Sequence, residues 1–184
     1  MSLTPFQKRK LARMFAALDV DGDGFLERSD YTRRVEAVAR LKQWTPESPE
    51  YARNLRVALQ DWDGLRESAD ADDDERVSRD EFMRYAEIFL DDRDAVRSYS
   101  RGDTQLLFDA MDADADGKIS LEEYRTYLQV CGIDESAAEE FFTYADLDES
   151  GRITRDEMSH AMEEFLLSEN PKAAGNYLFG RLDA

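Results

Sequence analysis

Aspartates recur at every second position in four short stretches of this chain, and each stretch ends in a further acid. The clearest stretch has Asp112, Asp114 and Asp116, then Gly117, and finally Glu123. Carboxylate and carbonyl oxygens are the ligands that Ca²⁺ prefers, at roughly 2.3–2.6 Å from the ion. The types and spacing of these residues therefore predict that each stretch folds around one divalent cation.

The spacing is that of an EF-hand loop, in which positions 1, 3, 5, 7, 9 and 12 supply the oxygens, position 7 through its backbone carbonyl. Four such loops occur, at residues 19–30, 70–81, 112–123 and 146–157. We name them loops one to four. The predicted ligands are Asp19, Asp21, Asp23, Phe25, Glu27 and Asp30; Asp70, Asp72, Asp74, Arg76, Ser78 and Glu81; Asp112, Asp114, Asp116, Lys118, Ser120 and Glu123; and Asp146, Asp148, Ser150, Arg152, Thr154 and Glu157.

Loops three and four have the regular pattern and are predicted to bind Ca²⁺. Gly117 and Gly151 stand at the sixth position, where the backbone turns with positive φ. In loop four Ser150 replaces an aspartate at position 5, which removes one negative charge.

Loops one and two each depart from the pattern once. Loop one closes with Asp30 in place of glutamate, and this shorter side chain reaches the ion less easily with both oxygens. Because Mg²⁺ needs only six ligands, at about 2.0–2.1 Å, we expect Mg²⁺ to compete most at loop one. In loop two Glu75 stands at the turn, where a non-glycine residue costs about 1 kcal/mol, or roughly five- to tenfold in affinity. The predicted number of bound ions is therefore three or four.

The amino-acid composition limits the kinds of partner that we expect the protein to bind. The chain has 184 residues, a net charge of −18 and 42% hydrophobic residues, which predicts a folded acidic protein. Its overall field disfavours nucleic acid and anionic membranes and favours cations or a basic amphipathic helix. With no apolar run long enough to cross a membrane and no signal-peptide pattern, we expect a soluble, cytoplasmic monomer. No nucleophile is spaced with a base, so we do not expect an enzyme.

Helical patterns flank every loop. The first helix opens with Thr4, Pro5 and Gln7, which are a capping residue, a first-turn proline and a capping-box partner. The predicted fold is all-α, with four EF-hands in two pairs at residues 1–97 and 103–184 and a polar linker over Ser98–Asp103. Position 8 of each loop is apolar and predicts short β bridges between loops one and two and between loops three and four; these residues are Leu26, Val77, Ile119 and Ile153.

The last segment, residues 170–184, is predicted to be a helical tail packed in a groove of the protein. It begins with the helix-start residues Asn170 and Pro171. A tail that fills the groove favours a Ca²⁺ buffer, whereas a sensor opens its groove to a helical target, which stays the alternative. The apolar residues assigned to the groove are Tyr177, Leu178, Phe179 and Leu182.

Three features resemble the sarcoplasmic calcium-binding proteins and their bacterial calerythrin-type relatives. They are Asp30 at the end of loop one, the longer separation of loops one and two than of loops three and four, and the tail residues 175–180, which read GNYLFG. The resemblance covers nearly the whole chain and implies two EF-hand pairs in a compact globule that act as an intracellular Ca²⁺ buffer or, in some members, a sensor. Calerythrin-like proteins often lose the second site, whereas here its acids are present and only the turn glycine is missing.

Overall fold

The computed structural model of the protein describes residues 2–112, 114–130 and 132–182, and it is built from helices joined by the four loops. Within these residues the elements are α1 (Pro5–Leu18), β1 (Phe25–Leu26), α2 (Arg28–Lys42), α3 (Pro49–Ala69), β2 (Val77–Ser78), α4 (Arg79–Phe89), α5 (Arg93–Met111), β3 (Ile119–Ser120), α6 (Leu121–Val130), α7 (Ala138–Ala145), β4 (Arg152–Ile153) and α8 (Arg155–Leu167), with short 3₁₀ helices at Glu135–Ala137 and Ala174–Tyr177. The predicted all-α EF-hand fold is confirmed.

The helices begin where side chains satisfy their free amides. Thr4 Oγ1 accepts from the amide of Gln7 at 3.2 Å, and the Gln7 side chain accepts from the amide of Thr4 at 2.9 Å. Ser48 caps α3 in the same way, through the amide of Tyr51 at 3.2 Å. The exiting helices α4 and α8 begin after the ninth loop residue, which acts as their cap. Each loop therefore ends in the first turn of the next helix.

The loops pair through their eighth residues, as predicted. β1 and β2 are antiparallel with Leu26 opposite Val77, and β3 and β4 are antiparallel with Ile119 opposite Ile153. All four side chains are fully buried. Loops one and two are therefore held together as one pair, and loops three and four as the other; we call them the N-terminal and C-terminal pairs.

The predicted linker at Ser98–Asp103 is wrong. These residues lie inside α5, which runs without a break from Arg93 to Met111. Ser100 is buried there, and its hydroxyl donates to the carbonyl of Val96 at 2.9 Å, so the polar stretch is compatible with helix. The chain breaks instead after α4, at residues 90–92, and Asp92 caps α5. Polar composition indicated an exposed helix surface here, not a linker.

The tail packs against α7 and α8 of the C-terminal pair. Its helical part is only the 3₁₀ turn Ala174–Tyr177, shorter than the sequence pattern indicates. Leu178 is buried, and its carbonyl accepts from the hydroxyl of Tyr124 at 3.2 Å. A Cβ added to Gly175 would lie 2.3 Å from the backbone of α8, so only glycine fits there.

The tail also contacts the first helix and other aromatic side chains. Tyr177 stacks on Tyr144, and the ring of Phe179 packs edge-on against Phe165 at 4.9 Å between centroids. The carbonyl of Phe179 accepts from Nε of Arg13 in α1 at 2.6 Å. The last tail residue assigned to the groove, Leu182, is half-buried. Contacts from both pairs therefore hold the tail in place.

Across the part of the chain that the structure describes, no helix has the length and apolar character needed to span a lipid bilayer.

Candidate metal centres

Carboxylates from positions 1, 3 and 12 meet in each of the four loops. In every loop, the three side chains offer oxygen atoms that all lie within 4.8 Å of one another. The structure thus brings together half of the six predicted ligands of each loop, and it does so in loop two as well as in the others. The four groups are Asp19, Asp21 and Asp30; Asp70, Asp72 and Glu81; Asp112, Asp114 and Glu123; and Asp146, Asp148 and Glu157.

The first aspartate of each loop fixes the backbone of the turn. In loop three, Asp112 accepts from the amide of Asp116 at 3.1 Å and from the amide of Gly117 at 3.0 Å. The same two bonds, from the amides at positions 5 and 6, recur in the other three loops. The four loops therefore share one conformation before any ligand is considered.

The carboxylate at position 12 joins the loop to its exiting helix. Glu157 accepts from the amide of Leu147 at the start of loop four and from the amide of Thr154 at its ninth position, both at 2.8 Å. Asp30 is 1% exposed, and burial raises the pKa of its carboxyl. Glu81 is also buried, but the Ser78 hydroxyl holds the pKa of its carboxyl below the usual value. These are desolvated acids aimed into the loops.

The other predicted ligands do not belong to the carboxylate groups. At position 5, Asp23, Asp74 and Asp116 each accept from the amide two residues on, at 2.9 Å. At position 9, the Ser78, Ser120 and Thr154 hydroxyls donate to the position-12 carboxylate, while Glu27 occupies that position in loop one. At position 7, Phe25 lies in β1 and Arg152 in β4, whereas the residues of loops two and three directly precede β2 and β3. The Arg152 carbonyl accepts from the hydroxyl of Ser150 at 3.0 Å. The metal-ligand roles of all these residues stay predictions.

Glu75 adopts the left-handed conformation that glycine provides elsewhere. Its φ is 64°, against 89° at Gly24, 83° at Gly117 and 77° at Gly151. Sequence reasoning missed that position 4 also has positive φ, including 58° at Asp73. Loop two therefore holds two non-glycine residues at positive φ, where loop one has two glycines. The strain cost of loop two is larger than the turn position alone indicates.

Arginines pair with four of the predicted ligands, which the sequence did not predict. Arg33 of α2 contacts Asp21 and holds the pKa of that carboxyl below its usual value. Arg76 pairs with Asp74 in its own loop at 3.0 Å, and Arg152 of loop four pairs with Asp116 of loop three. The sequence could have indicated two of these pairs, because arginine stands at position 7 of loops two and four. The next residue, at position 8, is buried, so the side chain at position 7 lies on the opposite, exposed side of the loop. These pairs are partly exposed to solvent, so each contributes little to stability.

The donor chemistry of the loops fits a hard divalent cation. All predicted ligands are carboxylate, hydroxyl or carbonyl oxygens, and neither cysteine nor histidine belongs to the carboxylate groups found in the described residues. Oxygen-only ligand sets suit Ca²⁺ and Mg²⁺, whereas Zn²⁺ sites use nitrogen and sulfur. Three converging negative charges also need a positive charge to offset their repulsion. Each loop is therefore a candidate site for one such ion.

A cavity of about 490 Å³ lies among the helices of the N-terminal pair. Residues of α1, α2, α3 and α4 form most of its wall, and α5, α6, α8 and the tail complete it. The wall is mainly apolar and aromatic, with Tyr31, Phe82, Tyr85 and Phe89 among its members, and Arg34 adds a charged group. This volume falls within the range of roughly 300–1,000 Å³ that is usual for small-molecule sites.

The sequence matches known family models over most of its length. A model described as an EF-hand domain pair matches residues 8–87 and 67–129, and one described as an EF hand matches residues 138–162. A luciferin-binding protein from Renilla reniformis is 27% identical over 180 residues, which make up 96% of this chain and 95% of that protein.

Solved structures have the same architecture. The coelenterazine-binding protein from Renilla muelleri, in its calcium-loaded apo form, has a TM-score of 0.73 and 26% identity over 97% of this chain and 99% of its own. A sarcoplasmic calcium-binding protein from amphioxus has a TM-score of 0.79 and 22% identity over 98% of this chain and 99% of its own, which shows a shared fold. The family matches, the four loops and this fold agree: the chain belongs to the EF-hand family of calcium-binding proteins, with the architecture of a sarcoplasmic calcium-binding protein.

Proposed function

We propose that this protein is a cytoplasmic, monomeric Ca²⁺ buffer that binds three or four ions, with Mg²⁺ competing most at loop one. The observation that carries the proposal is the convergence of three carboxylates, within 4.8 Å, in each of the four loops. The ligands we propose are the six predicted residues of each loop. A bound ion supplies the positive charge that offsets the repulsion among these acids.

The position-12 carboxylate links ion binding to helix position. It is the third residue of the exiting helix in each loop, at Asp30, Glu81, Glu123 and Glu157. In three of the loops a hydroxyl at position 9 already hydrogen-bonds this carboxylate. An exiting helix therefore needs little rearrangement to present its acid, which favours tight binding without a large opening.

The docked tail supports buffering over sensing. The 3₁₀ turn Ala174–Tyr177 packs against α7 and α8, and the next residue, Leu178, is 2% exposed, so the chain itself fills the groove of the C-terminal pair. A sensor needs such a groove for the apolar face of a target helix. The alternative, a sensor that grips a basic amphipathic helix, requires the tail to leave.

A calorimetric Ca²⁺ titration, repeated in millimolar Mg²⁺, tests ion binding. We expect three or four ions, and one fewer in a Glu123→Gln variant, which removes the position-12 charge of loop three. Glu122→Gln changes the exposed neighbour of that residue and should keep the full number. Recovery of no bound Ca²⁺ from the wild-type protein would contradict the proposal.

A fluorescent dye for exposed apolar surface separates the buffer from the sensor. On the buffer proposal, Ca²⁺ changes dye binding little in the wild type, because the tail covers the groove. Gly175→Ala should displace the tail and increase dye binding, whereas Gly102→Ala, in open space on α5, should not. A large Ca²⁺-dependent increase in the wild type would favour the sensor.

The cavity favours a second candidate function, which is binding of a small apolar molecule. Its volume of about 490 Å³ and its largely apolar and aromatic wall, which also carries polar groups such as Arg34, Asn54 and Asp61, are features of small-molecule sites. The 27%-identical Renilla relative is a luciferin-binding protein, and a solved relative binds coelenterazine. Both observations support an aromatic ligand of moderate size for this chain.

Titration with coelenterazine tests this second candidate. Ala58 is half-buried in the cavity wall, and Ala52 is exposed on the same helix, so Ala58→Phe should abolish binding while Ala52→Phe leaves it unchanged. Binding that survives Ala58→Phe would place the ligand elsewhere and contradict the assignment, as would the absence of any binding to the wild-type protein.

A further inference from the structure

A lysine from the N-terminal pair reaches a loop of the C-terminal pair. Lys42 is the last residue of α2, the exiting helix of loop one. Its Nζ donates to the backbone carbonyl of Asp112, the first residue of loop three. The helix that carries Lys42 also packs against α6, the exiting helix of loop three. The contact therefore lies where the two pairs meet.

The ammonium group of Lys42 lies near acids of loop three and of the last turn of α5. Asp112, Glu123, Asp109 and Asp114 all act on it electrostatically. Burial nevertheless holds the pKa of Lys42 below its usual value, so the lysine is partly removed from water beside this acidic cluster. Three of these four acids are predicted ligands of one ion. The lysine charge is thus close enough to interact with anything bound in the loop.

The other cations that contact the loops have a different origin. Arg33 contacts loop one from its own exiting helix, Arg76 lies in loop two, and Arg152 reaches loop three from its paired loop. Each belongs to the same pair as the carboxylate that it contacts. Lys42 instead comes from the opposite pair, and it is half-buried. It is therefore placed to connect the two pairs.

We infer that Lys42 is a positioning residue that sets the ion affinity of loop three from the N-terminal pair. The inference rests on the proposed binding of Ca²⁺ in that loop. Without an ion, the lysine charge offsets part of the repulsion among the loop acids. The same charge repels an arriving divalent cation. The residue thus replaces part of the positive charge that an ion would supply, and it weakens binding at one chosen loop.

The direction of the change in affinity distinguishes this role from simple packing. Lys42→Met keeps most of the side-chain length but removes the charge, so it should tighten ion binding at loop three by about three- to tenfold. A residue needed only for packing would weaken binding when replaced. Lys42→Arg keeps the charge and should leave the affinity close to the wild-type value.

Terbium luminescence can report on loop three alone. Lys118→Trp places a sensitising ring at position 7 of this loop, and Phe25→Trp does the same in loop one; the wild-type protein gives the background from its own tryptophans. Terbium is titrated into each reporter with and without Lys42→Met, and Ca²⁺ is then used to displace it. We expect tighter binding with Lys42→Met in the loop-three reporter and no change in the loop-one reporter.

The outcomes separate this inference from the proposed function. If the loop-three reporter binds neither terbium nor Ca²⁺, the proposed ion binding fails. If it binds with the same or lower affinity after Lys42→Met, only the role of Lys42 is overturned. An equal change in both reporters would also overturn it, because the effect would then come from net charge.

Discussion

The two pairs of EF-hands share their loop geometry but differ in what lies between their helices. In the C-terminal pair the tail fills the groove, and Leu178 is 2% exposed. Among the helices of the N-terminal pair a cavity of about 490 Å³ remains. Since all four loops close in the same way, a filled groove is not a condition for a well-formed loop. The geometry of the ion-binding loops and the filling of the groove are therefore separate properties of this fold.

The loops of the N-terminal pair also differ from those of the C-terminal pair. Both loops of the C-terminal pair have glycine at the turn and glutamate at position 12, whereas each loop of the N-terminal pair breaks one of these rules, at Asp30 or at Glu75. The irregular loops and the cavity thus occur in the same half. We expect the C-terminal pair to be the stable ion-binding half and the N-terminal pair to be the adaptable one.

The largest expected effect comes from matched leucine truncations in the two halves. Leu178→Ala should lower the free energy of unfolding by about 2–5 kcal/mol, because it opens a void in a filled groove. Leu65→Ala should cost less than about 2 kcal/mol, because this half-buried side chain already faces the cavity. Urea unfolding in saturating Ca²⁺ measures both. Equal losses would remove the distinction between a filled and an open groove.

The second prediction tests the contact that joins α1 of the N-terminal pair to α8. Lys10 is 1% exposed, and its Nζ donates to the carbonyls of Glu164 and Ser168. Burial lowers the pKa of Lys10 from 10.5 to about 8. Between pH 8 and 10.5 the unfolded chain therefore binds more protons than the folded protein, so this group makes the free energy of unfolding rise with pH.

Urea unfolding across this pH range measures the effect of Lys10. Lys10→Met should remove its contribution to the rise, whereas Lys172→Met, at an exposed position, should retain it. If the free energy of unfolding of Lys10→Met rises with pH as steeply as in the wild type, burial of the Lys10 charge is not the cause of the rise.

The third prediction concerns the turn of loop two. Glu75→Gly should raise Ca²⁺ affinity there by roughly five- to tenfold, because glycine adopts a φ of 64° without the cost of a Cβ, about 1 kcal/mol. Glu75→Ala removes the same charge but keeps the Cβ, so it should not give this gain. Calorimetric titration resolves the two. If both variants improve equally, charge and not backbone strain limits loop two.

The smallest expected effect is at the end of loop one. Asp30→Glu should lower Mg²⁺ competition by roughly a few-fold, because the longer side chain can offer both oxygens to the larger ion. Asp80→Glu makes the same change at an exposed acid outside the loop ligands. Ca²⁺ titrations with and without millimolar Mg²⁺ give the comparison. If Asp30→Glu leaves the sensitivity to Mg²⁺ unchanged, Asp30 is not the reason for Mg²⁺ competition at loop one.

Local sequence patterns predicted the loops well. The registers of all four loops, the buried residue at position 8 and the capping box at Thr4 and Gln7 appear where they were expected. Each depends on residues within about twelve positions of one another, where backbone geometry limits the choices. The linker at Ser98–Asp103 failed because a polar stretch is equally compatible with an exposed helix face.

Most of the features that the sequence did not reveal involve residues far apart in the chain. Arg152 pairs with Asp116 only because β3 and β4 lie side by side, and Lys42 meets Asp112 only because α2 packs on α6. The positive φ at position 4 was also missed, because Asp73, Ala115 and Glu149 give no glycine signal there.

By itself, the sequence determined the donor set: which oxygens stand at which loop positions, and therefore which kind of ion suits them. That information is local, because a twelve-residue loop closes on its own side chains. Two features follow only from the tertiary structure. The tail fills the groove of the C-terminal pair while a cavity remains in the N-terminal pair, and Lys42 of the N-terminal pair lies on loop three of the C-terminal pair. Those outcomes depend on the volumes and orientations of helices distant in the chain, which no local spacing encodes.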